Sequence, residues 1–139
     1  MVKARRKLIR RVAADFAAAP RLRRVSGIEM NLDELVESIP ERELRAQLSK
    51  WVDGWKRDDT DVDALSALIE KWHGSVWFDD RQAQSVFYER FQKFRAQIIQ
   101  RIGGMTVNER LYWLGLFDHW DLSDDASRKR IRTKLRADA

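Results

Sequence analysis

Apolar residues recur along most of this chain at the three- and four-residue spacing of amphipathic α-helices. The pattern predicts helices over residues 32–39, 40–56, 61–73, 80–101, 106–117 and 124–136. Side chains that commonly cap helix N-termini precede these segments, namely Asn31, Ser38, Thr60, Asp79 or Asp80, Thr106 and Ser123. We therefore expect an all-α protein, a single compact bundle of five to six helices with a basic N-terminal helical arm.

The most distinctive of these segments runs from residue 102 to residue 121. Near its start, Gly103 and Gly104 end the preceding helical pattern, and Thr106 and Glu109 have the spacing of a capping box. Residues 111–117 are apolar at every position except Gly115. A helix that is apolar on all sides is usually buried, so this segment predicts a central helix with Gly115 in its interior beside a closely packed neighbour.

The last predicted helix carries most of the basic residues that follow residue 126. We expect Ala126, Ile131 and Leu135 to face inward. The cationic side chains, Lys134 among them, are expected to face outward.

Charge divides the chain into three parts, although the net charge of the whole is only +5. Residues 1–30 hold nine basic and two acidic residues, for a net charge of +7. Residues 31–126 hold twelve basic and nineteen acidic residues (−7), and residues 127–139 hold six and one (+5). At 139 residues one domain is expected, so we divide the chain into a basic arm and linker, residues 1–29, and a helical bundle domain, residues 30–139.

The basic arm has its own helical pattern over residues 3–18. Leu8, Ile9, Val12 and Phe16 share one face, basic residues cover the rest, and Pro20 ends the pattern. Three interpretations stay open. The arm contacts nucleic acid or an anionic membrane, it is a solvated or partly docked terminal helix, or translation starts at Met30.

Two acidic clusters are candidates for metal binding, and neither fits well. Residues 59–70 have the spacing of a calcium loop, but the sixth position is Ala64 where such loops need glycine, so a capped helix start explains these acids better. Asp118, His119 and Asp121 form the densest potential ligand set, but capping and surface roles are favoured. With no nucleophile elbow and no phosphate-binding glycine loop, we predict no cofactor, no metal and no enzymatic activity.

Cysteine is absent, and no apolar run approaches the roughly 20 residues that a membrane span needs. Both features are compatible with a cytoplasmic protein, which is the location we expect.

Six tryptophans are a large number for a chain of this length. Trp51, Trp55 and Trp72 fall on core stripes, whereas Trp77 lies in a loop and Trp120 lies where the central helix ends. Exposed aromatic residues often anchor interfaces. The candidate partner-binding residues are therefore Trp77, His119, Trp120 and Asp121.

Residues 104–118, GMTVNERLYWLGLFD, together with part of the preceding tryptophan-rich stretch (residues 72–74 and 77–78), resemble a segment of small uncharacterised bacterial helical proteins. The resemblance implies a small bacterial helical protein. It does not extend to the basic arm and implies no activity.

Two functional hypotheses follow. In the first, the acidic body binds a basic protein partner, as immunity proteins and antitoxins do, because opposite charge speeds and orients capture. In the alternative, the basic N- and C-terminal helices bind nucleic acid through phosphate contacts. The residues that would make those contacts are Arg5, Arg6, Arg10, Arg11, Arg128, Lys129 and Arg132.

Overall fold

The computed structural model describes residues 30–137, and this part contains helices and loops but no strand. Its α-helices are α1 (Leu32–Glu37), α2 (Arg42–Arg57), α3 (Val62–Ser75), α4 (Arg81–Phe94), α5 (Val107–Trp113), α6 (Phe117–Asp121) and α7 (Asp125–Lys134). The all-α prediction is confirmed, with seven α-helices in this range instead of five or six. The predicted arm, residues 1–29, lies outside the described residues.

Two of the predicted cap residues, Asn31 and Thr106, form capping boxes. The Asn31 side chain accepts from the Glu34 amide, and Thr106 does the same for Glu109, while each glutamate accepts from the backbone of its cap residue. Each pair satisfies two backbone amides that a helix N-terminus would otherwise leave unpaired.

Three other predicted caps are wrong. Ser38 donates back to a carbonyl of α1, and α2 begins at Arg42 without a side-chain cap. The Thr60 hydroxyl donates to Asp58, so Asp61 caps α3. In the same way the Ser123 hydroxyl donates to a carbonyl of α6, and the neighbouring Asp124 caps α7.

Large side chains from every long helix fill one core. Trp55 of α2 and Trp72 of α3 are almost completely buried, as the stripes predict. Their indole N–H groups are satisfied, since Trp55 donates to the Asp61 carbonyl at 2.7 Å and Trp72 donates to the Gln47 side chain at 3.0 Å. Hydrogen bonding of the polar end lets these residues contribute their large apolar area without an unpaired donor.

The expected long helix over residues 80–101 changes form part-way along. It is an α-helix to Phe94 and continues as a π-helical turn over Arg95–Ile99. The wider turn brings both Ile98 and Ile99 into the core, although consecutive positions diverge on an α-helix.

The central helix is shorter than predicted. Its residues are buried as expected, but α5 ends at Trp113 and α6 begins only at Phe117. Between them Gly115 has φ of +67°, the left-handed conformation that terminates helices. The placement of Gly115 inside a continuous helix is therefore wrong, whereas the close neighbour exists. A Cβ atom on Gly115 would lie 2.5 Å from Oδ2 of Asp33.

The orientation predicted for α7 is wrong at both ends. Lys134 is buried, and its ammonium donates to the carbonyls of Trp55 and Thr60, each at 2.6 Å, and to Asp58 at 2.9 Å. Ala126, expected to face inward, is exposed. These contacts fasten the last helix to the end of α2 and the loop that follows it.

A second buried cation, Arg110 of α5, holds the chain near residue 136. Its guanidinium donates to the carbonyls of Met105, Leu135 and Arg136. Because backbone carbonyls accept its hydrogen bonds, Arg110 can be buried without a carboxylate partner.

Candidate protein-binding cleft

Helices α1, α2, α6 and α7 surround a cleft of about 770 Å³. Buried apolar side chains contribute part of its wall, namely Val36, Val52 and Ile131, and the exposed Leu122 also lines it. Its charged side chains are Asp33, Glu34, Glu37, Asp53 and Asp118 on the acidic side and Lys56, Arg57 and Arg130 on the basic side. We call this depression the acidic cleft, because carboxylates outnumber cations five to three.

An ion pair inside the cleft neutralises one of the three cations. Nζ of Lys56 lies 2.6 Å from Oδ1 of Asp33, and Lys56 itself is buried. The same carboxylate lies close to Gly115, where a Cβ atom would be 2.5 Å from its Oδ2. The pair thus removes one charge of each sign and leaves the acidic excess unchanged.

Asp53 and Asp118 differ from the ion-paired Asp33 in the interactions that they make. Glu34 is engaged in the cap of α1, whereas neither Asp53 nor Asp118 forms a salt bridge within residues 30–137. Asp53 lies on the exposed side of α2 and Asp118 in the first turn of α6. They give the cleft negative charge that no salt bridge within residues 30–137 neutralises.

His119 is a half-buried residue of the same cleft. Burial lowers its pKa below the usual 6.5, and the charges of Lys56 and Arg57 lower the pKa further, while Asp118 and Asp53 act in the opposite direction. Its Nδ1 is buried and has no hydrogen-bond partner among the described residues. The imidazole is therefore neutral at pH 7 and adds no positive charge to the cleft.

Tyr112 also lines the cleft, and its hydroxyl is a poor candidate for acid–base chemistry. Burial, reinforced by the negative charge of Glu34, raises its pKa to about 12. The phenol stays protonated at neutral pH, whereas a general base is most effective when its pKa is near the working pH.

The described residues do not assemble a metal site from the predicted acidic clusters. Between residues 30 and 137 no three His, Asp or Glu side chains converge as ligands would. Asp61, in the calcium-like stretch, accepts from the amides of Asp63 and Ala64 and so has the helix-capping role.

Trp77 lies in a separate groove of about 600 Å³. It is 80% exposed, and the groove is also lined by His73, Tyr88 and polar residues of α4. The rings of His73 and Tyr88 are 4.6 Å apart. Because this groove and the acidic cleft share no residue, the structure does not bring Trp77 together with His119.

Trp120 is half-buried and covered by arginines of α7. The guanidinium carbons of Arg128 and Arg132 lie 4.8 Å and 5.7 Å from its ring centre, and Arg128 also donates to the Trp120 carbonyl. Two residues of the predicted nucleic-acid set are thus engaged with Trp120, whereas Lys129 and Asp121 are exposed. Arg5, Arg6, Arg10 and Arg11 lie outside the described residues.

The sequence predicted His119 as a partner-binding residue, which stays a prediction, and it did not indicate the residues that build the cleft around it. Asp33, Asp53 and Lys56 lie on two helices and come together only when α1 packs on α2. The available signal was weak. Gly115 in an apolar segment indicated a close neighbour, and that neighbour is Asp33.

Comparison of the chain with protein-family models, curated proteins and solved structures gives no match in any of the three. None of the helices within residues 30–137 is both long and apolar enough to cross a bilayer.

Proposed function

We propose that this chain is a small non-enzymatic interaction protein that binds a basic protein partner through the acidic cleft. The observation that carries the proposal is the five-to-three excess of carboxylates around a cleft of about 770 Å³. Asp53 and Asp118 would receive lysine or arginine side chains of the partner. Immunity proteins and antitoxins are examples of proteins with such a role, and we propose a cytoplasmic location.

The composition of the cleft suits a protein surface better than a small anion or a metal ion. Leu122 is 75% exposed and offers apolar contact beside the carboxylates, while Val36, Val52 and Ile131 form a buried part of the wall. Apolar contact supplies affinity, while complementary charge speeds association and selects the partner.

Capture from a lysate of the host organism tests this proposal. The immobilised full-length chain should retain a basic protein at low salt and release it as salt increases, since screening weakens exposed charge pairs. The double variant Asp53→Asn/Asp118→Asn should lose most of this capture. The matched control, Glu43→Gln/Asp79→Asn, neutralises two exposed carboxylates outside the cleft and should capture as the wild type does.

Equal capture by the cleft variant and the control variant would refute the role of the cleft. A wild-type chain that retains no basic protein would refute the proposed function itself.

The alternative proposal, nucleic-acid binding, is favoured by one feature of α7. Lys129, Arg130 and Arg132 are all exposed on this short helix. If they contact phosphates, the affinity for duplex DNA should fall steeply with salt, and Lys129→Gln should reduce the slope of log K against log[salt] by about one. A gel-shift titration at several salt concentrations measures both quantities, and absence of a shift at low salt would eliminate this alternative.

A further inference from the structure

One face of α4 lines the groove of about 600 Å³ that also contains Trp77. The residues of α4 on this face are spaced three and four positions apart, so they form one row on the helix: Arg81, Gln84, Ser85, Tyr88 and Glu89. Arg81, Ser85 and Glu89 are exposed. We call this row of five residues the α4 face.

The charges on the α4 face are arranged symmetrically about Ser85. Arg81 lies about one helical turn before Ser85, and Glu89 lies about one turn after it. If a second copy of α4 runs antiparallel with its own Ser85 opposite the first, Arg81 of each copy faces Glu89 of the other. The α4 face is therefore complementary in charge to itself.

Both of these charged groups are available for contacts between molecules. Within residues 30–137, Arg81 forms no salt bridge, and Glu89 pairs with Lys93 of its own helix at 3.4 Å between Oε1 and Nζ. An exposed pair of this kind contributes little to stability. A second arginine near Glu89 would thus add a partner without breaking an important interaction.

The side chains at the centre and at the end of this surface also suit a second helix. Ser85 is small, so two antiparallel helices can approach closely at that point. Trp77 lies ahead of α4 and is 80% exposed. In the antiparallel register it meets the part of the second helix that follows Glu89, where Lys93 is exposed. A cation is attracted to the face of an indole ring, and tryptophans often dominate the energy of an interface.

We propose that the α4 face is a homodimer interface, in which two copies of this chain pair through antiparallel α4 helices about a two-fold axis beside Ser85. Such an interface is isologous, so each charge pair and each indole contact occurs twice. The groove shares no residue with the acidic cleft, so the dimer presents the cleft twice. This inference goes beyond the proposed function and does not depend on it.

The small size of the contact sets the concentration at which the dimer forms. Interfaces that bury less than about 1,200 Å² in total are typical of weak and transient complexes, and here each copy contributes mainly one helix. We therefore expect monomers in dilute solution and association at higher concentration. Unfolding measured on dilute protein then reports on the monomer, in which Trp77 is exposed.

Sedimentation equilibrium of the full-length chain tests the proposal. The average mass should rise towards that of a dimer between roughly 10 μM and 1 mM protein. Arg81→Glu places two pairs of like charges in the interface and should weaken association by about tenfold or more. The matched control Lys50→Glu makes the same change of charge at an exposed position of α2 outside the groove, and it should associate as the wild type does.

Charge exchange distinguishes this register from any other contact. Arg81→Glu/Glu89→Arg reverses both members of each pair and should restore association. Arg81→Glu and Glu89→Arg chains should each associate poorly alone, yet a mixture of the two should associate, because both contacts then join opposite charges. A wild-type mass that does not change with concentration would overturn the proposal. Equal association of Arg81→Glu and Lys50→Glu, or no recovery in the double variant and the mixture, would also overturn it.

A disulfide probes the two-fold axis without changing a charge. The sequence contains no cysteine, so Ser85→Cys introduces one thiol per chain. When two antiparallel helix axes lie about 10 Å apart, the facing Cα atoms are about 5 Å apart, a distance that a disulfide spans. Oxidation should therefore cross-link Ser85→Cys chains faster than Ala46→Cys chains, whose thiol lies on the exposed side of α2. Equal rates of cross-linking would refute the proposed axis.

Discussion

Replacement of Gly115 by alanine should destabilise the protein through two separable effects. Gly115 has φ of +67°, and an L-residue pays about 1–2 kcal/mol to adopt that conformation. The new Cβ would also lie 2.5 Å from Oδ2 of Asp33, so the carboxylate that accepts a hydrogen bond from the buried Lys56 must shift. Weakening a charge-assisted hydrogen bond of this kind costs about 1–3 kcal/mol.

The combined loss in the free energy of unfolding should be about 2–5 kcal/mol, with a decrease in Tm on the order of 10 °C. Urea unfolding followed by circular dichroism measures the change. Gly54→Ala is the matched control, because Gly54 lies within α2 and a Cβ there would meet nothing within 4 Å. That substitution should instead stabilise the protein by about 0.5–1 kcal/mol, through the helix propensity of alanine.

A double-mutant cycle separates the strain from the clash. In an Asp33→Ala background the carboxylate is gone, so Gly115→Ala should cost only the conformational part, about 1–2 kcal/mol. Wild-type stability of Gly115→Ala would refute the whole argument. An unchanged cost in the Asp33→Ala background would refute the clash and leave only the strain.

Three further predictions concern the buried cation of α7, the histidine of the cleft and the exposed tryptophan. Lys134→Met should lower the free energy of unfolding by about 2–4 kcal/mol in urea titrations, because the carbonyls of Trp55 and Thr60 lose the ammonium donor. Wild-type stability would contradict this. Because the pKa of His119 is lowered in the folded protein, the unfolded chain binds more protons below pH 6.5, and the free energy of unfolding should fall as the pH decreases from there towards the folded-state pKa. His119→Gln should flatten this part of the plot of unfolding free energy against pH. An equally steep plot would contradict the lowered pKa of His119. Trp77→Ser should change the free energy of unfolding by less than about 0.5 kcal/mol, since Trp77 is 80% exposed, and a larger loss in thermal unfolding would show that it packs against the core.

Hydrophobic spacing was enough to predict the class of fold and most of the core. Trp55, Trp72 and Leu111 are buried as their positions on the stripes require. The spacing records which side of a helix avoids water, and that information is local to each segment. It does not record where two segments cross, so the cleft between α1 and α2 could not be derived from it.

Helix N-termini were less predictable because two adjacent side chains could often serve as the N-cap. Both Thr60 and Asp61 can cap α3, and the choice depends on contacts made elsewhere. The Thr60 carbonyl accepts from Lys134, and the Asp61 carbonyl accepts from the Trp55 indole. Tertiary hydrogen bonds therefore fix the local conformation that decides between the two side chains.

Lys134 shows why a charged residue can be assigned to the wrong face. The sequence of α7 taken alone predicts that the Lys134 ammonium group faces water. In the folded protein it lies at the C-terminal end of α2, where unpaired carbonyls and the negative end of the helix dipole favour a cation. That end is supplied by residues 55–60, more than seventy positions away in the sequence.

The dependence of α2 on Lys134 bears on how the protein is made in the cell. Every other element of the described body leaves the ribosome before α7, and domains form their structure as the chain emerges. Until α7 is synthesised, the carbonyls of Trp55 and Thr60 have no ammonium donor, and the cleft lacks the wall that contains Arg130 and Ile131. The nascent chain therefore carries an incomplete cleft, and any ligand that requires all of its walls can be bound only after α7 has been translated.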